Sequence, residues 1–238
     1  MSAQAGGPVA YSGAYAGRVA RTGRPREFDE DSVVLGAADL FWSRGYAGTS
    51  VQDIADSLAL QRPSLYGAFG GKRGLFLRAL ESYIGGVLEA LAVLDRPGPV
   101  LPNLRTALLS AAEPSPTGAF RGCMLGNTAV ELAGSDETIR RTVADGFART
   151  EAAFRAAVLR AQTSGEIPRG DVRARAALLL VVLEGLHVVA RAGAGPERLA
   201  LAVDAALEGM AARPAPARRL VRTPRGAAAS GPTLPQLD

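Results

Sequence analysis

The 238-residue sequence is poor in the side chains from which most catalytic and metal centres are built. It holds one cysteine, Cys123, and one histidine, His187. A single thiol excludes a disulfide framework within the chain and suits a reducing, cytoplasmic compartment. No Cys/His ligand cluster at metal spacing is visible, so neither a metal nor another cofactor is expected. With no phosphate-cradling glycine loop either, an enzyme is disfavoured. Lysine is reduced to Lys72, and aromatics make up 5%. Long apolar runs are missing too. The longest, Ala176–Leu183, is interrupted by Glu184, far short of the roughly 20 residues that span a bilayer. Residues 1–20 lack a basic start followed by an apolar run, so no signal peptide is expected.

What the chain has in quantity is Ala, Leu, Arg and Gly, with 47% hydrophobic residues, enough for one or two domains with a sizeable core. The net charge of +4 is unevenly placed. Residues 1–26 carry four arginines, and residues 214–238 carry four arginines against Asp238, which leaves −3 for 27–213. The basic character lives in the ends, so charge alone says little about partners of the folded part.

Apolar periodicity near 3.6 recurs along the chain and no strand pattern of convincing length appears. The expected fold is all-α, with about nine helices. Residues 1–23 and 214–238, rich in Gly, Ala, Pro and Arg, are read as disordered. The first helix is expected over 29–44, with Phe41 and Trp42 packing under the second and third. Those are expected over 50–57 and 62–68, and a fourth over 72–94, weakened or bent by Gly85-Gly86. Five more follow over 99–112, 121–133, from a Ser135 cap to 164, 172–192 from an Asp171 cap, and 196–212.

The informative stretch is 49–76. Thr49 with Gln52 three residues on has capping-box spacing. Val51, Ile54, Ala55 and Leu58 give one apolar face. A second short segment opens at Gln61-Arg62-Pro63, where proline is tolerated in a first helical turn. Only Ala59 and Leu60 separate the two segments. Two short helices across a sharp turn, the second carrying polar and basic groups, are a helix-turn-helix arrangement.

The run Gly45-Tyr46, Thr49-Ser50, Ile54-Ala55, Pro63-Ser64-Leu65-Tyr66, Phe69, Lys72 and Leu75-Phe76 resembles the TetR family of one-component transcriptional repressors. The resemblance is strong over 24–82 and loose beyond. It implies a helix-turn-helix DNA-binding domain, here 24–71, and a larger helical effector-binding and dimerisation domain, here 72–213. One departure is Ala59, where many such motifs place Gly. Left-handed backbone at Ala costs on the order of 1 kcal/mol.

Arg62 is the candidate base reader, because its fork matches guanine O6/N7. Ser64 lies beside it, as does Pro63; Gln61 and Gln52 are secondary candidates. Gly67 and Ala68 leave room for close approach, Ala68 to a thymine methyl. Thr49, Ser50, Tyr66 and Lys72 are phosphate-type donors, and the resemblance implies a backbone-holding role at Tyr66 and Lys72. Arg24 and Arg26 form a basic arm able to reach phosphates or a minor groove. Double-stranded operator DNA is thus one expected partner. A second copy of the chain is another, meeting through the helices near 172–192 and 196–212, because a single helix-turn-helix buries little DNA surface. The third is a small-molecule effector, in a pocket drawn from Phe120, Cys123, Met124, Asn127, Glu131, Phe147, Glu151 and Glu184. For each of these, ordinary core packing or a solvated face competes with pocket lining. Cys123 has two readings, a buried packing residue or a sensor of electrophiles and oxidants activated by its helix N-terminus and Arg121. A helical protein-interaction module that leaves DNA alone is the remaining alternative.

Overall fold

A computed structural model describes residues 28–114 and 120–212, and all regular structure in them is helical. The order is α1 (Glu30–Arg44), α2 (Val51–Ser57), α3 (Arg62–Phe69), α4 (Lys72–Leu91), a 3₁₀ turn (Ala92–Asp95), α5 (Val100–Ala111), α6 (Met124–Leu132), α7 (Glu137–Thr163), α8 (Val172–Arg191) and α9 (Pro196–Ala211). Each lies within a few residues of its expected span. The basic arm Arg24 and Arg26, and the two expected tails, lie outside the described residues.

Helix starts follow the local chemistry, with two corrections. The carboxylates of Asp29 and Asp171 accept amide protons at the starts of α1 and α8, which satisfies donors with no partner inside the helix. Ahead of α2 the cap is Ser50 rather than Thr49, in a reciprocal capping box with Asp53. The box moves by one residue because Thr49 is fully buried and its hydroxyl donates to the Gly45 carbonyl at 2.8 Å. The α7 cap is Asp136, which accepts from Ile139 N–H, and not Ser135. The first turn of α5 has no cap of its own. Glu166, from the loop after α7, accepts the Val100 and Leu101 amides at 2.8–3.0 Å.

Two buried clusters form the interior. One joins α1, α2 and α3 to the first half of α4, to α6 and to the start of α7, through Phe41, Ile54, Leu65, Phe76, Leu80, Met124 and Ile139. The other joins the end of α4 to α5, the second half of α7, α8 and α9, around Leu104, Phe154, Leu179 and Val203. Helix α4 belongs to both. It runs unbroken through Gly85-Gly86, beside the buried Ile84.

Trp42 is half-buried against the first cluster, and its specific contacts lie away from α2 and α3. It turns toward α4 and the segment before α6. Its ring meets Tyr83 edge-on, its indole N–H donates to the Gly122 carbonyl at 3.0 Å, and the Arg121 guanidinium lies over its face at 4.5 Å. A second tie comes from Glu131 near the end of α6. Its carboxylate accepts the backbone amides of Tyr46 (3.1 Å) and Ala47 (2.7 Å) in the α1–α2 loop. A third is the bidentate pair of Arg73 on α4 with the α7 cap Asp136, at 2.8 and 2.9 Å.

Candidate nucleic-acid interface

Leu65 and Phe69 sink α3 into the first cluster. Four apart on an eight-residue helix, they fix which side remains outside. Gln61, Arg62, Pro63, Tyr66 and Gly67 lie on that outer side, all exposed. A side-chain carbon built on Gly67 would touch nothing within 4 Å, so the backbone there is open to close approach. Ser64 and Ala68 are half-buried. Ala68 packs against the core, which turns it away from the thymine contact expected of it.

The turn between α2 and α3 is tight, and Ala59 takes φ of 48°, the left-handed region that disfavours a side chain. A polar chain bridges the two helices above it. Arg62 Nη2 donates to Gln52 Oε1 at 2.5 Å, and Gln52 Nε2 donates to Asp56 Oδ1 at 2.6 Å. One nitrogen of the Arg62 fork is thereby braced while the side chain stays exposed.

The flanking donors are not equivalent. Tyr66 is 58% exposed. Lys72 opens α4 half-buried, with Nζ 4.1 Å from the Tyr46 ring centroid, a placement that holds the ammonium beside the interface. Ser50 is exposed but spends its hydroxyl on Asp53. Thr49 faces inward at 0% exposure, so its hydroxyl is not presented outward. Gly74 keeps α4 against the end of α3: a side chain there would fall 1.7 Å from the Phe69 carbonyl oxygen.

The eight effector-pocket candidates do not converge on one cavity. Phe147 and Glu184 line an open groove of about 510 Å³ along α7 and α8, with Leu180, Val181, Gly185 and Val188. Met124, Asn127 and Glu131 border a second space of about 200 Å³ beside Trp42 and Tyr46. Glu131 is exposed and engaged with the α1–α2 loop. Phe120 and Glu151 border neither of these spaces. Cys123 caps α6 and is 6% exposed. Burial, and then the Glu184 carboxylate beside it, push its thiol up to about 12. That is the opposite of an activated thiolate.

Both parts of the chain match known families. Residues 34–79 match the family described as bacterial regulatory proteins, tetR family, and residues 97–215 match the tetracyclin repressor-like C-terminal domain. The chain belongs to the TetR family of transcriptional regulators. This TetR regulator is 34% identical to the uncharacterised HTH-type transcriptional regulator YezE of Bacillus subtilis, over 78% of its own length and 97% of that protein's. It is 31% identical to the HTH-type transcriptional repressor ComR of Escherichia coli, over 74% and 86%. Among solved structures it is similar to a cysteine mutant of the TetR family regulator CifR in complex with a 26-bp double-strand operator DNA. The TM-score is 0.70 at 31% identity, covering 79% of this chain and 100% of that one. As a TetR regulator the chain is a helix-turn-helix DNA-binding protein. Among the described residues no helix is long and apolar enough to cross a membrane.

Proposed function

We propose that this regulator is a cytoplasmic homodimeric repressor that reads a palindromic operator through α3 and is released by a small-molecule effector. In this reading 24–71 bind DNA, and 72–213 bind the effector and the second copy. The observation that carries it is the outer side of α3. Arg62, Tyr66 and the open Gly67 are exposed together on a helix whose other side is locked into the core.

Arg62 is suited to a guanine edge, its fork steadied by Gln52. Tyr66 and Lys72, and the Arg24 and Arg26 arm, suit phosphates. Such contacts set register without carrying sequence information. A dimer face is available on α8 and α9, where Leu178, Val181, Val188 and Leu201 are 45–71% exposed in one copy. Two copies sharing that face would set their α3 helices into successive major grooves about 34–36 Å apart. The enclosed, protonated Cys123 favours a small-molecule effector over a thiol sensor.

Fluorescence anisotropy with operator and random duplexes across a salt series tests the reading. Affinity should fall steeply with salt, as phosphate neutralisation requires, which a protein-interaction module would not show. Arg62→Ala should cost about 1–3 kcal/mol of discrimination between the duplexes. Lys72→Ala should weaken both alike and lower the salt slope by about one. Equal losses from both substitutions on every sequence would refute the division of roles.

A further inference from the structure

We infer that Cys123, Glu184 and His187 form a binding site for a thiophilic divalent cation, with Zn²⁺ the ion the donor set fits. One donor atom from each residue lies within 4.8 Å of the other two. Cys123 opens α6, while Glu184 and His187 sit one turn apart on α8, so the site joins two helices distant in sequence. Zinc bonds to sulfur, nitrogen and oxygen of about 2.0–2.3 Å place tetrahedral donors roughly 3.3–3.6 Å apart. The most separated donors therefore need to close by up to about 1.5 Å, which side-chain rotations supply.

One observation points to a ligand, and a second accounts for how the carboxylate reaches the thiol. His187 Nδ1 is buried and has no hydrogen-bond partner. Its acidic neighbour, Glu184 Oε1, stands at 3.7 Å, beyond hydrogen-bonding reach. A buried ring nitrogen left this way is destabilising unless something occupies it. The second is the seating of Glu184 against the first turn of α6. A side-chain carbon on Gly126 would lie 2.6 Å from Glu184 Oε2, so the carboxylate fits beside the thiol because that position is glycine.

The charges also match. A thiolate and a carboxylate together carry −2, which a dication neutralises in a site where isolated charge is unfavourable. On binding, the sulfur–metal bond replaces the S–H bond and the proton leaves to solvent, with no change of oxidation state. A sulfur, nitrogen and oxygen set selects against Mg²⁺ and Ca²⁺, which take oxygen. The fourth position is left for water or a small ligand.

Cobalt titration of the reduced full-length chain without DNA tests the site. Co²⁺ should give a near-ultraviolet thiolate-to-metal charge-transfer band that saturates at one ion per protomer and is lost on adding Zn²⁺. Cys123→Ser should abolish the band, while His187→Gln and Glu184→Gln should each weaken Zn²⁺ at least about tenfold, the loss seen even for groups that only support a ligand. No band with Co²⁺ in excess, a band retained in Cys123→Ser, or unchanged Zn²⁺ affinity in His187→Gln would overturn the proposal. Far-UV circular dichroism checks each variant, and should Cys123→Ser fail to fold, the His187→Gln comparison decides alone. DNA is absent throughout, so failure here leaves the operator reading standing, and failure of that reading leaves this one.

Discussion

At residue scale, Ala59 is the clearest case of a side chain at odds with its backbone. Its φ of 48° costs a non-glycine residue about 1–2 kcal/mol, while glycine would give back roughly 0.5–1 kcal/mol in chain entropy. Ala59→Gly should therefore stabilise the protein by up to about 1.5 kcal/mol. Urea unfolding checks this: the midpoint should rise with an unchanged slope, and a lower midpoint would mean the turn is unstrained. The position was legible in the sequence because only two residues separate the helices there. Thr49 was not legible. A hydroxyl beside a helix start reads as an outward donor, and only packing tells that its carbonyl partner, Gly45, lies inward.

At the scale of elements, amphipathic spacing located every helix, and the ties between helices lay beyond it. The Arg73–Asp136 pair joins residues 63 positions apart, and no local pattern announces such a contact. The Arg73 guanidinium, helped by the Ile139 amide, holds Asp136 at about 2 instead of its ordinary 3.8. A carboxylate with a depressed folded value adds stability that is fully present above its unfolded value and is lost as pH falls through the folded one. Asp136→Asn keeps a good helix cap but removes the ion pair. Its melting temperature should sit below that of the unsubstituted protein near neutral pH. The gap should close between about pH 4 and pH 2. A gap that stayed constant on acidification would show that the pair adds nothing.

At the scale of the whole molecule, α8 is covered on one side only. Ala176, Leu179 and Leu183 are buried at 0–4%, while Leu178 and Val181 are 45% and 68% exposed. The run Ala176–Leu183 is apolar all round, yet within one copy only one of its sides is covered. Exposed valine and leucine at spacings of three and seven form a stripe suited to a symmetry mate. Val181→Asp should leave the helical content intact, shift the mass in light scattering from dimer to monomer, and weaken operator binding. A dimer of undiminished stability would move the interface elsewhere.

By itself the sequence determined the helices, the helix-turn-helix and the outward placement of Arg62, Tyr66 and Gly67. Those depend on periodicities of three and four residues within single segments, and such periodicities are local. Tertiary structure alone decided that Cys123 meets Glu184 and His187 some sixty residues later. It also decided that Glu131 grips the α1–α2 loop, and that the pocket candidates part between two spaces. Each of these depends on how helices far apart in sequence pack on one another, and that packing is set by two buried clusters that draw residues from the whole described chain.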